Sequence, residues 1–257
     1  MVVLSRKGGA GKTTTALMLG HTLAVQRGDR VVALDANPDA GSLAYRVRRE
    51  SERTTTSVLA DRDGIGRYAD IRAYTSRAED TRLEVLASDD DPRISQALGR
   101  SDYARVIDLL DRHYDLVVVD TGTGILHSSI QGVLAEADQI VVVMPPALDG
   151  VRVAATTLDW LDEHGHGELV RRAVAVVNGV RGADALRLDV VEEHFARRCA
   201  ATVRIPWDRA LQAGARTRLA DLAAPTRDAF LALAAAVADD FRTESPRTPL
   251  DVDGRPR

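Results

Sequence analysis

Cysteine, aromatic residues and lysine are all scarce in this chain of 257 residues. A single cysteine, Cys199, excludes an internal disulfide framework. Aromatic residues make up 4%, too few for a surface that stacks the bases of single-stranded nucleic acid. No apolar run approaches the ~18 residues of a membrane span. The N-terminal residues lack the pattern of a signal peptide, so we expect a cytoplasmic protein.

The charge is also unevenly distributed among residue types. The net charge of −4 excludes a globally basic protein that coats nucleic acid. Only two of the 34 basic residues are lysines, and both, Lys7 and Lys12, lie within one six-residue stretch. A general preference for arginine explains the other basic positions but not these two. The stretch that contains them is therefore the first candidate for a functional site.

Strands and amphipathic helices alternate along most of the chain. The apolar, β-rich runs are residues 1–4, 30–34, 83–87, 116–119, 140–144, 173–177 and 201–205. Several are apolar throughout, which is typical of strands covered on both faces. We predict an α/β fold with a mostly parallel central sheet flanked by helices on both faces. Residues 1–242 are expected to form one domain, and the proline-containing segment 243–257 a disordered tail.

Some segments are harder to interpret. Within the irregular, charged stretch 46–78 we predict a helix near 55–60 and a strand near 70–74. The acidic run 89–91 is interpreted as a solvated loop. The last helix is expected over residues 226–241.

A glycine-rich turn follows the first predicted strand. Residues 2–15 read VVLSRKGGAGKTTT, so a strand leads into glycines, then Lys-Thr, then a helix, which is the context of a phosphate-binding loop. The backbone amides would bind phosphate oxygens of ATP, Lys12 would reach the β- and γ-phosphates, and Thr13 would bind Mg²⁺. The candidate nucleotide-binding residues are Gly8, Gly9, Ala10, Gly11, Lys12, Thr13 and Thr14. The alternative is a glycine-rich turn without a ligand.

The loop departs from the ordinary phosphate-loop pattern, because Arg6 stands where a glycine is expected. It fits instead the variant K-G-G-x-G-K-T-T, which resembles the MinD/ParA group of dimeric ATPases. That resemblance implies an ATP-dependent homodimer in which Lys7 reaches the partner's nucleotide as a catalytic residue beside Lys12. An additional ammonium near the γ-phosphate would stabilise the charge that develops as the bond breaks.

The second predicted strand ends in Leu-Asp35-Ala-Asn37-Pro-Asp39. The resembling proteins read D-x-D-P here, with the first aspartate at Mg²⁺ and the second positioning the attacking water. Asp35 matches the first, but Asn37 replaces the second. An amide can orient water but cannot accept its proton as a carboxylate can. We therefore expect slow hydrolysis, with Asn37 or Asp39 as the water-positioning residue. A capping or turn role for this segment stays open.

Another strand ends in Asp120, followed by Thr-Gly122-Thr-Gly124. This matches the Walker B element, in which the aspartate holds Mg²⁺ through water. The metal-site candidates are thus Thr13, Asp35 and Asp120. The glycines would let the following loop respond to the γ-phosphate.

Two later segments are candidates for contact with the base. Asn178 ends a predicted strand, and in the resembling proteins an asparagine here reads the adenine edge. The segment Ile-Pro206-Trp-Asp208 is similar to their I-P-x-D segment, which borders the base. A simple turn is the alternative for both segments.

The branches of this group differ in their partners. Partitioning proteins bind non-specific DNA through surface arginines, and the candidates here are Arg171, Arg172, Arg181, Arg197 and Arg198. A solvated arginine-rich face explains the same residues. The last predicted helix is alanine-rich and ends in two aspartates, so we expect no direct membrane insertion.

Four segments resemble the actinobacterial MinD-like ATPases that include the EspI-like group. They are residues 68–76, 83–89, 155–161 and 190–199. Some of those proteins are associated with type VII secretion, which implies a protein partner such as the secretion machinery. The expectation is a slow Mg-ATPase that acts as a dimerisation switch. A DNA-partitioning ATPase and a nucleotide-binding regulatory module with negligible hydrolysis are the alternatives.

Overall fold

The computed structural model describes residues 1–38, 41–124, 127–182, 188–212, 214–239 and 241. Within these ranges the chain forms eight strands and eleven α-helices. The strands are β1 (Val2–Leu4), β2 (Val31–Ala36), β3 (Ser76–Arg77), β4 (Glu84–Leu86), β5 (Leu116–Thr121), β6 (Ile140–Met144), β7 (Val174–Val180) and β8 (Ala201–Pro206). The helices are α1 (Lys12–Gln26), α2 (Thr55–Asp61), α3 (Tyr68–Arg72), α4 (Pro92–Ala97), α5 (Arg100–Asp111), α6 (Ser128–Ala135), α7 (Leu148–Glu163), α8 (Gly167–Arg172), α9 (Leu188–Ala196), α10 (Arg209–Gln212) and α11 (Ala224–Ala238).

The strands form one sheet in the order β3-β4-β2-β5-β1-β6-β7-β8. All neighbours are parallel except β3 and β4, which pair antiparallel at one edge. The prediction of a mostly parallel α/β sheet is confirmed. Because β1 lies in the middle, the loop that follows it has strand ends on both sides.

Hydrophobic cores lie on both faces of the sheet, because alternate strand residues point to opposite sides. On one face, Val32 packs in a core that contains Tyr103 of α5 and Leu158 of α7. On the other, Ala33 belongs to a core built with Leu17 of α1 and Phe230 of α11. This double coverage explains why the central strands are apolar throughout.

In the irregular stretch 46–78 the predicted helix near 55–60 is confirmed as α2, but the predicted strand near 70–74 is wrong. Residues 68–72 form the helix α3 rather than a strand. Asp70 accepts hydrogen bonds from the amides of Gly66 and Arg67, at 3.2 and 2.8 Å, and so caps the helix. Ile71 and Tyr74 are both buried, at a spacing of three that suits a helix rather than the alternation of a strand.

The acidic run at 89–91 is a loop as predicted, but it is solvated only in part, because Asp90 is exposed whereas Asp89 is buried. Asp89 is buried and accepts hydrogen bonds from the hydroxyls of Thr54 and Thr56 at 2.7 and 2.6 Å. Asp91 accepts from the amide of Arg93 at 2.9 Å and caps α4, which begins at Pro92. Each of these two carboxylates is thus used to build the fold.

The C-terminal part is described only as far as residue 241. The last helix, α11, begins at Ala224, two residues before its predicted start, with Pro225 in its first turn. No described helix combines the length and apolar character needed to cross a bilayer. The predicted tail at 243–257 lies outside the described residues.

Candidate nucleotide-binding site

The carboxyl ends of the central strands bring the predicted site residues to one edge of the sheet. Val3 of β1 lies opposite Asp120 of β5, and Asp120 lies opposite Asp35 of β2. The glycine-rich loop leaves β1 two residues after Val3, so it emerges beside both aspartates. Ligands of open parallel sheets bind at this edge.

The loop curls because two of its glycines adopt left-handed backbone conformations, with φ of +74° at Gly9 and +92° at Gly11. Helix α1 then begins at Lys12, with no side-chain cap and no acidic residue in its first turn. Its first amides and its positive dipole end are therefore available to an anion. Gly8 is exposed at the start of the loop, and Ala10 is buried.

A cavity of about 440 Å³ opens over this loop. Its wall includes the loop residues 9–14, the end of β7, residues 206–208, and residues 211, 212 and 214. The volume falls in the range of small-ligand and cofactor sites. Ala10, Lys12, Thr13, Thr14 and both predicted base segments therefore line one cavity.

Asp120 lies beside Thr13 at this edge of the sheet. It is buried, accepts a hydrogen bond from Thr13, and its Oδ1 atom has no hydrogen-bond partner among the described residues. Burial, together with the neighbouring Asp35 carboxylate, raises the pKa of Asp120 to about 7. A carboxylate oxygen left without a partner, next to a threonine hydroxyl, fits a divalent cation.

Asp35 is fully buried next to Asp120. Its two carboxylate oxygens accept hydrogen bonds from the backbone amides of Asn37, at 3.2 Å, and Leu43, at 2.9 Å. Burial raises its pKa to about 6, although these two amides oppose the effect. A Cβ at Gly41 would lie 2.1 Å from the Asp35 Oδ2 atom, so the chain approaches this carboxylate more closely than a side chain would allow.

The two lysines differ in their position relative to the cavity. Lys12 lines the cavity, where burial lowers its pKa and the carboxylate of Asp120 opposes that effect. Lys7 is not among the cavity-lining residues of the described chain. Its ammonium pairs instead with Asp149, in the first turn of α7, and this contact holds the pKa of Asp149 below its usual value.

Asn37 lies where the ends of β2 and β5 approach each other. A Cβ at Gly122 would come within 3.0 Å of the Asn37 Oδ1 atom and 2.8 Å of Pro38. The side-chain oxygen of Asn37 therefore faces the start of the loop that follows Asp120. The other candidate for positioning water, Asp39, lies outside the described residues.

Two of the residues predicted to contact the base, Asn178 and Asp208, make hydrogen bonds within the fold. Asn178 donates its Nδ2 hydrogen to the carbonyl of Ala10 at 2.9 Å and packs so closely on Gly11 that a Cβ there would lie 2.1 Å away. It therefore holds the phosphate loop to β7. The same amide group retains an oxygen and a second donor hydrogen.

Asp208 lines the cavity, but its carboxylate is used within the fold. The two oxygens accept hydrogen bonds from the backbone amides of Ala210 and Ala223, each at 2.9 Å. These bonds connect the segment after β8 to the start of α11. Burial would raise the pKa of Asp208, but these amides and Thr226 lower it overall. Pro206 ends β8 at the cavity wall. Asp208 thus shapes the base side rather than offering a free carboxylate.

Two cavity residues were missed by sequence reasoning. Arg46 donates from Nη1 to the hydroxyl of Thr14 at 2.8 Å. Trp207 lines the base side, and the guanidinium of Arg181 lies over its ring at 4.6 Å. Trp207 occupies the variable position of the Ile-Pro-x-Asp segment, and Arg46 is one of many arginines in this chain, so only the fold reveals that both line the cavity.

Comparison with known families agrees with this geometry. A model of the CobQ/CobB/MinD/ParA nucleotide binding domain matches residues 1–220. The chain belongs to this family. It is also 39% identical over 251 residues to the ESX-1 secretion-associated protein EspI of Mycobacterium tuberculosis strain H37Rv. The match covers 96% of this chain but only 37% of EspI.

Solved structures of MinD and ParA proteins share the fold. A ParA family ATPase from Chlorobium tepidum superposes with a TM-score of 0.76 at 19% identity, covering 91% of this chain and 97% of that one. MinD from Pyrococcus horikoshii, solved as a complex with Mg-ADP, gives 0.73 at 19% identity over 91% and 93% of the two chains. At such identities the likeness establishes the fold alone.

Proposed function

We propose that this member of the CobQ/CobB/MinD/ParA family binds Mg-ATP and uses it to control the pairing of two copies of itself. The observation that carries the proposal is the separation of the two lysines. Lys12 lines its own phosphate cavity, whereas Lys7 lies outside it, on Asp149. A lysine of the variant loop that does not serve its own cavity is available to a partner's nucleotide.

Different residues at the sheet edge would bind the phosphates and the Mg²⁺ ion. The amides of the loop and of the first turn of α1 hold phosphate oxygens, and Lys12 adds a compact positive charge. Thr13 and Asp120 would hold Mg²⁺, with Asp35 behind them. The metal would neutralise charge on the β- and γ-phosphates. The raised pKa values of Asp35 and Asp120 support this role, since two buried carboxylates favour a cation between or beside them.

Hydrolysis is proposed to be slow. Asn37 can orient water through its amide oxygen, but it cannot take up a proton. With negligible hydrolysis the chain would act as a regulatory module. Phosphate release at saturating Mg-ATP separates a slow ATPase from such a module, because only the ATPase yields more phosphate than one equivalent per chain.

The alternative of DNA partitioning receives little support from the described surface. Four of the five proposed arginines pair with carboxylates, and Arg181 stacks on Trp207. The pairs are Arg171 and Arg172 with Glu168, Arg197 with Glu193, and Arg198 with Asp159 and Asp162. Paired arginines offer less net positive charge to a DNA backbone.

A role beside secretion machinery is proposed from the likeness to EspI. The similarity spans nearly all of this chain, so the shared part is the nucleotide-binding domain itself. In this proposal a cytoplasmic, ATP-bound dimer would bind a protein partner through a surface that the monomer lacks. Hydrolysis of ATP would separate the two subunits and release the partner. A pull-down with the full chain in the presence of ATP or ADP tests the nucleotide dependence.

The nucleotide-binding step has a direct test. We expect isothermal titration calorimetry to detect Mg-ATP binding by the wild-type chain and none by Lys12→Ala. Arg6→Ala is the matched control, because Arg6 is an exposed cation in the same loop and should leave affinity unchanged. Equal binding by wild type and Lys12→Ala would refute a phosphate site at this loop.

A further inference from the structure

Arg46 spans the mouth of the nucleotide cavity. It ends a short 3₁₀ turn, Ala44–Arg46, that follows β2. Its Nη1 atom donates to the Thr14 hydroxyl at 2.8 Å, and its Nη2 atom lies 3.7 Å from the position of a Cβ on Gly214. The guanidinium therefore reaches from the first turn of α1 to the segment that lines the base side.

The environment of this guanidinium differs from that of the surface arginines. Its Nε atom is buried and has no hydrogen-bond partner within the described residues. Asp120 and Asp35 attract it electrostatically, while burial lowers its pKa. Most other arginines, such as Arg198 with Asp159, have a carboxylate at close range. Arg46 thus brings a partly desolvated cation with spare donor capacity to the cavity wall.

The side chains of Thr13 and Thr14 point in different directions, and this indicates which part of a bound phosphate chain Arg46 would contact. Thr13 donates to Asp120, which marks the metal-binding end. Thr14 contacts Arg46 instead. Consecutive residues of an α-helix point about 100° apart, so the two hydroxyls face different sides of the phosphates. Arg46 therefore approaches the cavity from the Thr14 side, near Gly214, and lines it together with residues 206–208.

We propose that Arg46 is a phosphate-binding residue that acts on ADP and ATP alike, through the part of the phosphate chain nearest Thr14. The inference rests on the proposed nucleotide site and deepens it. A guanidinium offers forked hydrogen bonds to phosphate oxygens, and such charge-assisted bonds are stronger than neutral ones. Affinity for the nucleotide would thus depend on Arg46, while discrimination between ATP and ADP would not.

Calorimetric titrations with Mg-ATP and Mg-ADP test this proposal. We expect Arg46→Ala to weaken both nucleotides by the same factor, about ten- to a hundredfold, as for loss of a hydrogen bond to a charged group. Arg46→Met keeps the aliphatic stem without the charge and should lose as much. Arg46→Lys should recover part of the affinity. Arg48→Ala is the control, because Arg48 is an exposed neighbour paired with Glu79.

Three results would contradict the proposed role of Arg46 or the nucleotide site on which it depends. Unchanged ADP affinity in Arg46→Ala, or a loss confined to ATP, would overturn the proposal. Wild-type affinity in Arg46→Met would overturn it too, since packing and not charge would then be responsible. A wild-type chain that binds neither nucleotide would refute the nucleotide site itself, which distinguishes that failure from the failure of Arg46. Thermal unfolding of each variant without nucleotide verifies that it is folded.

Discussion

Lys7 and Asp149 form an ion pair that joins the phosphate loop to the start of α7 across 142 residues of sequence. The contact arises from topology. Strands β1 and β6 are neighbours, so the loop after β1 meets the helix after β6. Lys7 is thereby held by a carboxylate of its own chain. In the proposed dimer this carboxylate would compete with the partner's phosphates for the ammonium.

Removing this competitor should strengthen association. We expect Asp149→Asn to increase ATP-dependent dimer affinity by no more than about fivefold, because an ion pair exposed to solvent is weak. Sedimentation equilibrium with Mg-ATP measures the change. In a Lys7→Ala background the same substitution should have no effect. An equal effect in both backgrounds would show that Asp149 acts without Lys7.

The buried carboxylate of Asp120 predicts a pH-dependent stability without nucleotide. Its pKa is raised from 3.8 to about 7, so the native state holds a proton that the unfolded state releases. Stability should therefore fall as the pH rises from about 4 to about 7. The loss is about 1.4 kcal/mol for each pH unit between the unfolded and folded pKa values.

Asp120→Asn isolates this contribution. The variant should unfold at a higher temperature than wild type at pH 8, and the difference should become small at about pH 3, below the unfolded-state pKa of 3.8, where Asp120 is mostly protonated in both states. About 2–4 °C is expected per kcal/mol in a domain of this size. Thermal unfolding between about pH 3 and pH 8 measures it. A difference that does not vary with pH would contradict a raised pKa at Asp120.

Asn37 predicts that the hydrolysis rate can be raised by a single substitution. Asn37→Asp restores a proton-accepting carboxylate facing Gly122, and turnover should rise by up to about 100-fold, the low end of general-base contributions. Phosphate release under saturating Mg-ATP measures the rate. Asn37→Ala is the control for the orienting role of the amide, and Asp39→Ala tests the other candidate. Wild-type turnover in both alanine variants would refute both water-positioning assignments.

Most of the fold was predictable because it depends on continuous apolar runs. All seven apolar runs that were predicted as strands form strands, since strands covered on both faces must be apolar along their length. The two-residue strand β3 was missed, because its antiparallel pairing at the sheet edge involves too few residues for any periodicity. Helix α3 was mistaken for a strand because its five residues do not complete two turns.

The site was predictable where motifs fix local geometry. The phosphate loop follows β1, and Asp35 and Asp120 lie near the carboxyl ends of β2 and β5, so the three meet at one edge of the parallel sheet. Arg46 could not be distinguished from the other arginines by sequence. The pairing of Lys7 with Asp149 also required the strand order, which places α7 beside the loop. The internal use of the Asp208 carboxylate depends on the amide of Ala223 in a distant turn.

The central claim is that ATP brings two chains together through Lys7. Light scattering coupled to size-exclusion chromatography, with Mg-ATP, Mg-ADP and no nucleotide, tests it for wild type and Lys7→Ala. The account predicts a wild-type dimer with ATP alone, and a Lys7→Ala chain that binds ATP by calorimetry yet remains a monomer. A wild-type monomer in all three states, or a Lys7→Ala chain that dimerises as well as wild type, would contradict it.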